Sequence, residues 1–147
     1  MKDFSQYKKM EIKIYQHKVQ YYETDMMGIV HHSNYIRWFE EARTDYLEQA
    51  GYSYKRFEDE GIISPVLEIN AKYRSMVRFG DTVNIEVHMR SFTGLKFGLE
   101  YVISDSITGE VRVTGTSEHC LLDKMHKPVR LKKMNSKLYA LLEELVE

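Results

Sequence analysis

Between residues 22 and 35 the chain reads Tyr-Glu-Thr-Asp-Met-Met-Gly-Ile-Val-His-His-Ser-Asn-Tyr, which sets Asp25 in a glycine-containing loop directly before a strong helix pattern. The first turn of a helix leaves backbone N–H groups without intrahelical partners and carries partial positive charge, which suits an oxygen gaining negative charge. A carboxylate beside such a start can attack an electrophilic carbon or take a proton. Asp25 and the backbone amide near His32 are therefore the candidate reacting pair, and Gly28 lets the backbone turn between them without steric cost.

Simpler readings exist for each residue in this stretch. An aspartate in such a loop also serves as a turn or cap residue. Glu23 would share the face of Asp25 if a strand continued that far, and a solvated or arginine-paired Glu23 is a simpler expectation than a two-acid mechanism. Asp25, His31 and His32 could be metal ligands, but adjacent histidines point different ways and no third strong ligand stands at a recognised spacing, so no metal is expected. Glu40 and Arg43, three apart on the helix, read as an i,i+3 ion pair. Serine and cysteine chemistry lack support: no G-x-S-x-G elbow occurs, and Cys120 falls inside a strand pattern.

The elements that must hold this loop are legible from periodicity. Tyr35, Trp38, Phe39, Ala42, Tyr46 and Ala50 recur at helical spacing, with Ser33 or Asn34 available to cap the start and Gly51 to end the helix. A short second helix is expected within 52–61. The period then changes to two in 67–74, 83–90, 95–103 and from Val111, with Thr93-Gly94 and Thr108-Gly109 reading as hairpin joints of a mainly antiparallel sheet. A further strand is expected within 11–21, where a shift of apolar phase between Ile14 and Tyr15 suggests a bulge or twist. Leu138, Leu141, Leu142 and Leu145 follow Asn135 and Ser136, either of which can cap a final helix that packs on the domain or on a partner subunit. These elements predict an α+β chain: a curved antiparallel sheet of about five strands wrapped around one long central helix.

Composition bounds the function. At 147 residues, 43% hydrophobic and 29% charged, the chain is expected to form a single domain over 1–147. A formal net charge of −1 favours neither nucleic acid nor an anionic membrane surface as partner. One cysteine, no secretion-signal pattern at the N-terminus and no bilayer-length apolar run together predict a cytoplasmic protein without stable membrane insertion.

Tyr22-Glu-Thr-Asp25, Gly28-Ile-Val30, Tyr35, Phe39-Glu40 and Ala42-Arg43 resemble the signature of hotdog-fold acyl-CoA thioesterases of the 4-hydroxybenzoyl-CoA thioesterase and YbgC-like group, and the helix-then-strands layout extends the resemblance over nearly the whole chain. The resemblance implies hydrolysis of an acyl-CoA thioester in a site shared between subunits of a homodimer or homotetramer. No cofactor is implied beyond coenzyme A as part of substrate and product. Asp25 would be the nucleophile or general base, the His32 backbone amide would polarise the carbonyl, and the His32 imidazole would orient Asp25 or water, or assist the departing thiolate. Gly28, Val30 and Tyr35 would shape the substrate loop, with Met26 and Met27 lining an adaptable acyl pocket. Relatives usually carry smaller residues or proline directly after the acid, so this Met pair marks a departure. The phosphates of coenzyme A would need cations, for which Lys72, Arg74, Arg78, Arg90, Lys96, Arg130, Lys132 and Lys133 are candidates. The alternatives are an acyl-carrier-protein thioesterase, a hotdog protein that binds acyl-CoA without hydrolysing it and, less well matched to this loop, a hotdog dehydratase.

Overall fold

A computed structural model describes residues 11–147. The strands are β1 (Tyr15–Lys18), β2 (Ile62–Ile63), β3 (Val66–Tyr73), β4 (Thr82–Phe92), β5 (Lys96–Asp105), β6 (Val111–Cys120) and β7 (Leu122–Asp123). The helical patterns form α1 (Ser33–Gln49), α2 (Tyr54–Asp59), the single turn α3 (Leu131–Met134) and α4 (Ser136–Leu145). Five strands make one antiparallel sheet in the order β1-β4-β5-β6-β3. The α+β class and the five-stranded antiparallel sheet follow the sequence pattern, and α1 is 17 residues long. The β2–β7 ladder does not, because two residues per strand carry no readable period.

The N-terminal strand is shorter than the expected 11–21. Only four residues pair with β4, beginning at Tyr15 opposite Ile85, and the register contains no bulge. The phase shift at Ile14 has another cause. Gln49, at the end of α1, donates its side-chain amide to the Lys13 carbonyl (3.0 Å) and accepts from the Lys13 N–H (2.8 Å). One side-chain amide thus stands in for a strand partner and draws the chain away from β4.

The buried face of α1 carries Tyr35, Trp38, Phe39, Ala42, Tyr46 and Leu47, which join Val83, Ile85, Leu99, Tyr101, Ile103 and Val113 of the sheet in one core. Phe39 stacks on Tyr101, with centroids 4.4 Å apart, and lies over the backbone of Gly115, the cross-strand partner of Tyr101. Helix α4 completes the core from its own chain: Asn135 caps it by accepting from the Leu138 N–H, and Leu138, Leu142 and Leu145 are buried.

The expected Glu40–Arg43 ion pair does not form. Glu40 is exposed, whereas Arg43 is buried and donates to two phenol oxygens, Tyr54 at 2.8 Å and Tyr101 at 3.0 Å. Residues three apart on a helix share a face only approximately, and here the boundary between core and solvent runs between them. The polar chain continues from Tyr101 to Ser117 (2.6 Å) and from Ser117 to His119 Nε2 (2.7 Å), with the imidazole stacked on Phe97. Burial, assisted by the positive charge of Arg43, pushes the His119 pKa down to about 4.

Two outcomes follow from this packing. A Cβ at Gly115 would lie 2.5 Å from the Asn70 carbonyl oxygen and 2.6 Å from the Phe39 ring. Gly115→Ala should therefore cost about 1–3 kcal/mol, read as a lower urea midpoint at unchanged slope, and a loss under about 0.5 kcal/mol would contradict this packing. For His119, only the unfolded chain takes up the proton between an ordinary imidazole value of about 6.5 and the folded value of about 4. Its contribution to stability is complete above the upper value and is lost as pH falls toward the lower one. Between about pH 7 and about pH 4.5 the melting temperature of His119→Gln should fall less than that of the parent; equal slopes would reject the assignment.

Candidate functional site

The Asp25 loop is a small hairpin closed by main-chain bonds. Thr24 and Val30 bridge antiparallel, the Asp25 N–H donates to the Ile29 carbonyl (2.8 Å), and the Gly28 N–H donates to the Asp25 carbonyl (3.1 Å). Gly28 adopts φ +71°, a left-handed conformation that disfavours any side chain. The hairpin is pinned to the segment after β3 by Val30 N–H to Val77 O (2.9 Å), Phe79 N–H to Gly28 O (3.1 Å) and an Ile29–Arg78 bridge. Val30 and Tyr35 are buried as supports of the loop, and the Tyr35 hydroxyl accepts from the Val77 N–H at 3.4 Å.

Asp25 is exposed at the hairpin tip. Its Oδ1 accepts from the Met27 N–H (2.8 Å) and the Ile29 N–H (3.3 Å), the local turn expected of a short acid in a loop. Oδ2 accepts no hydrogen bond among the described residues. The turn therefore holds one oxygen and presents the other.

Neither Ser33 nor Asn34 caps α1. His32 occupies the cap position with helical backbone angles (φ −55°, ψ −29°) and makes no side-chain cap bond. Ser33 Oγ instead meets His31 Nδ1 (2.8 Å), and Asn34 Nδ2 donates to the Glu23 carbonyl (2.8 Å). The Ser33 N–H is taken by His31 Nδ1, Asn34 N–H by the His31 carbonyl and Tyr35 N–H by the His32 carbonyl. The His32 N–H has no acceptor among the described residues. Its exposed imidazole stacks on that of His31, centroids 4.2 Å apart, and approaches Tyr73 edge-on at 6.4 Å.

Glu23 is neither solvated nor paired with arginine. It is only 5% exposed, and three donors converge on its carboxylate: Trp38 Nε1 on Oε2 (2.6 Å), with the Gln20 N–H (2.7 Å) and His17 Nε2 (2.8 Å) on Oε1. Burial by itself would raise its pKa, but the hydrogen bonds from Gln20, His17 and Trp38 outweigh burial and hold the carboxyl below its ordinary value of 4.5. A carboxylate accepts only, so three converging donors stabilise its charged form. The readable signal was an acid two residues before Asp25 with a tryptophan on the following helix; the length of the connecting turn hid their contact.

The remaining candidates separate. Met26 and Met27 are exposed at the hairpin tip, at 104% and 73%, with Phe79 and Tyr21 in edge-on contact nearby (5.7 Å). Arg78 is brought beside the loop through its bridge with Ile29. Lys72 and Arg74 line a groove over β3, β5 and β6, while Arg90 is paired with Glu100 at 3.2 Å. Among the described residues no helix is long and apolar enough to cross a membrane.

Residues 19–141 match the family model described as the thioesterase-like superfamily. The chain is 36% identical over 117 residues to the Bacillus subtilis (strain 168) protein YneP, which carries the provisional name acyl-CoA thioesterase, covering 79% of this chain and 84% of that one. It is 26% identical over 111 residues to the 1,4-dihydroxy-2-naphthoyl-CoA hydrolase of Thermosynechococcus vestitus, covering 75% and 76%. Among solved structures, the DHNA-CoA thioesterase of Staphylococcus aureus superposes with a TM-score of 0.84 at 32% identity, covering 89% of this chain and 88% of that one.

Proposed function

The chain belongs to the thioesterase-like superfamily, and from that premise we propose that this thioester hydrolase cleaves an acyl-CoA to free acid and coenzyme A, using Asp25 as its carboxylate and the His32 amide as its carbonyl activator. The observation that carries the reading is the state of the helix start. Three successive N–H groups, of Ser33, Asn34 and Tyr35, are engaged, while that of His32, at the positive end of α1 and two residues past the hairpin that holds Asp25, has no acceptor among the described residues. An open donor at a helix N-terminus suits the oxygen of a thioester carbonyl as it gains charge.

Asp25 acts through Oδ2 in one of two balanced ways. As nucleophile it attacks the carbonyl carbon, expels the thiolate and leaves a mixed anhydride that water hydrolyses; as base it takes a proton from the attacking water. In either case the thiolate leaves as a good group and ends protonated. A carboxylate is a weak base, so the site must compensate by orientation and exclusion of water. No metal or redox group takes part. The imidazole of His32 is available to orient water or to protonate the departing thiolate.

The exposed apolar surface around the hairpin supports a homodimer or homotetramer in which a partner closes the site. Tyr21, Met26, Met27 and Phe79 lie there, and the outer edge of β3, with Leu67 at 48% and Tyr73 at 52% exposed, is unpaired among the described residues. Met26 and Met27 would then line the acyl pocket, with Arg78 the cation nearest the loop for the coenzyme A phosphates. The chain acts as a single cytoplasmic hotdog domain, its sheet bent about α1 by irregular pairing after Met89 and Ile103.

Released thiol, followed across short, long and aromatic acyl-CoAs, tests the reading. Asp25→Asn should fold like the parent and lose turnover by about 10²-fold or more, and activity near the parent level would defeat the assignment. Single turnover in ¹⁸O-water and trapping by hydroxylamine together separate the two roles: label in the Asp25 carboxylate or a trapped anhydride marks a nucleophile, whereas label in the product acid with no trapped anhydride marks a base. Matched acyl-carrier-protein substrates turned over in preference to acyl-CoA would redirect the substrate class.

A further inference from the structure

We propose that Glu23 is a positioning residue for this reaction, the joint through which the Asp25 hairpin is set against the start of α1. The inference rests on the assignment of Asp25 and the His32 amide, and it adds the residue that holds those two groups in one frame.

Each half of Glu23 grips a different part of the site. Its carbonyl oxygen accepts from the His31 N–H (2.9 Å) and from Asn34 Nδ2 (2.8 Å), tying the entry of the hairpin to its exit and to the first turn of α1. Its carboxylate takes Trp38 Nε1 from the second turn of α1, together with His17 Nε2 of β1 and the Gln20 N–H from the turn that follows. Asp25 is two residues further along the same backbone, and His32 directly follows His31. Any rotation of the hairpin relative to α1 must therefore break bonds at both ends of one residue.

The contacts behind Glu23 make this joint stiff. His17 packs on Trp38, centroids 4.6 Å apart, and its other ring nitrogen faces Glu41 Oε2 at 3.4 Å, an oxygen that also accepts from Tyr15 OH at 3.1 Å. Trp38 is fully buried and meets Tyr35 edge-on at 5.2 Å, and Tyr35 in turn accepts from Val77 beneath the loop. The row Glu41, His17, Glu23, Trp38 thus links the exposed face of α1, the end of β1 and the hairpin. None of these side chains need touch the substrate.

The chemistry identifies the discriminating variant. A carboxylate can accept from all three donors, but the carboxamide of Glu23→Gln turns one oxygen into an NH₂ group. His17 can change tautomer to accept from it, whereas the Gln20 N–H and the Trp38 N–H cannot. The NH₂ therefore either opposes a fixed donor or costs the shared oxygen its place, and the joint loosens with little change in volume. A reacting group displaced by about 1 Å can lose on the order of 10²-fold in rate.

The test uses the full chain as parent, Glu23→Gln, Trp38→Phe and His17→Gln, each checked for folding by circular dichroism. The expected result for Glu23→Gln is a fall in kcat of about 10²-fold with KM within about threefold, because the lost interaction serves the transition state rather than binding. Trp38→Phe, which keeps the carboxylate and removes one donor, and His17→Gln, which keeps the carboxylate and exchanges the imidazole donor for a more mobile amide, should fall less. Hydrogen exchange gives a readout independent of activity: the Asp25 and His31 amides should exchange at least about tenfold faster in Glu23→Gln, while amides of β5 keep the parent rate. A folded Glu23→Gln protein with parent kcat and parent exchange in the hairpin overturns the proposal, as does loss of protection spread evenly through the sheet, which would mark a purely global role. If Glu23→Gln does not fold, the two single-donor variants decide by the same exchange criterion. If the parent hydrolyses no acyl-CoA, the reading of the reaction fails, and hairpin exchange still accepts or rejects Glu23 as the joint.

Discussion

A carboxylate withdrawn from water must find donors for its oxygens, and at Glu23 that requirement organises the protein around the candidate site. The donors come from three places: a tryptophan on α1, a main-chain N–H in the turn after β1 and a histidine at the end of β1. Each must be present for the others to be worth their desolvation, because a buried ion with an unmade bond costs far more than the bond contributes when made. The arrangement therefore acts as a unit, and it determines where the Asp25 hairpin leaves the body of the fold.

The sheet supplies the rigid counterpart. Helix α1 can lie close to it because Gly115 lacks a side chain and Phe39 fills that space against Tyr101. On the same helix, Trp38 and Asn34 face the hairpin while Arg43 faces a buried row of Tyr54, Tyr101, Ser117 and His119. One helix thus carries two polar networks at different heights, separated by an aromatic layer. Close packing there limits how far the first turn of α1 can shift.

Legibility varied with the range of the interactions. Strands β3 to β6 and helices α1, α2 and α4 were readable because periodicity and glycine-bearing joints act over a few residues. The loop and its glycine were readable for the same reason, and Asp25 makes the local turn bonds its type suggests, although the Thr24–Val30 pairing that makes the loop a hairpin was not. The capping of α1 was misread. Ser33 and Asn34 have the right chemistry for a cap, yet His31 and Glu23 compete for their side chains. The strand expected around 11–21 forms over Tyr15–Lys18 alone, and Gln49, 36 residues beyond Lys13, takes the main-chain groups of Lys13 before it.

What the amino-acid order determined by itself was the alternation that makes a sheet, the stripe that makes α1, and the spacing of Asp25, Gly28 and His32 that brings an acid to a helix start. These depend on local geometry, which repeats wherever the pattern occurs. Only the tertiary structure decided that Glu23 is buried under three donors, that Arg43 turns inward to tyrosines and away from Glu40, and that the His32 N–H has no acceptor among the described residues while its neighbours are engaged. The physical reason is that a polar group's partner is chosen by competition among all groups brought within about 3 Å, and distant segments enter that competition only once the chain has folded.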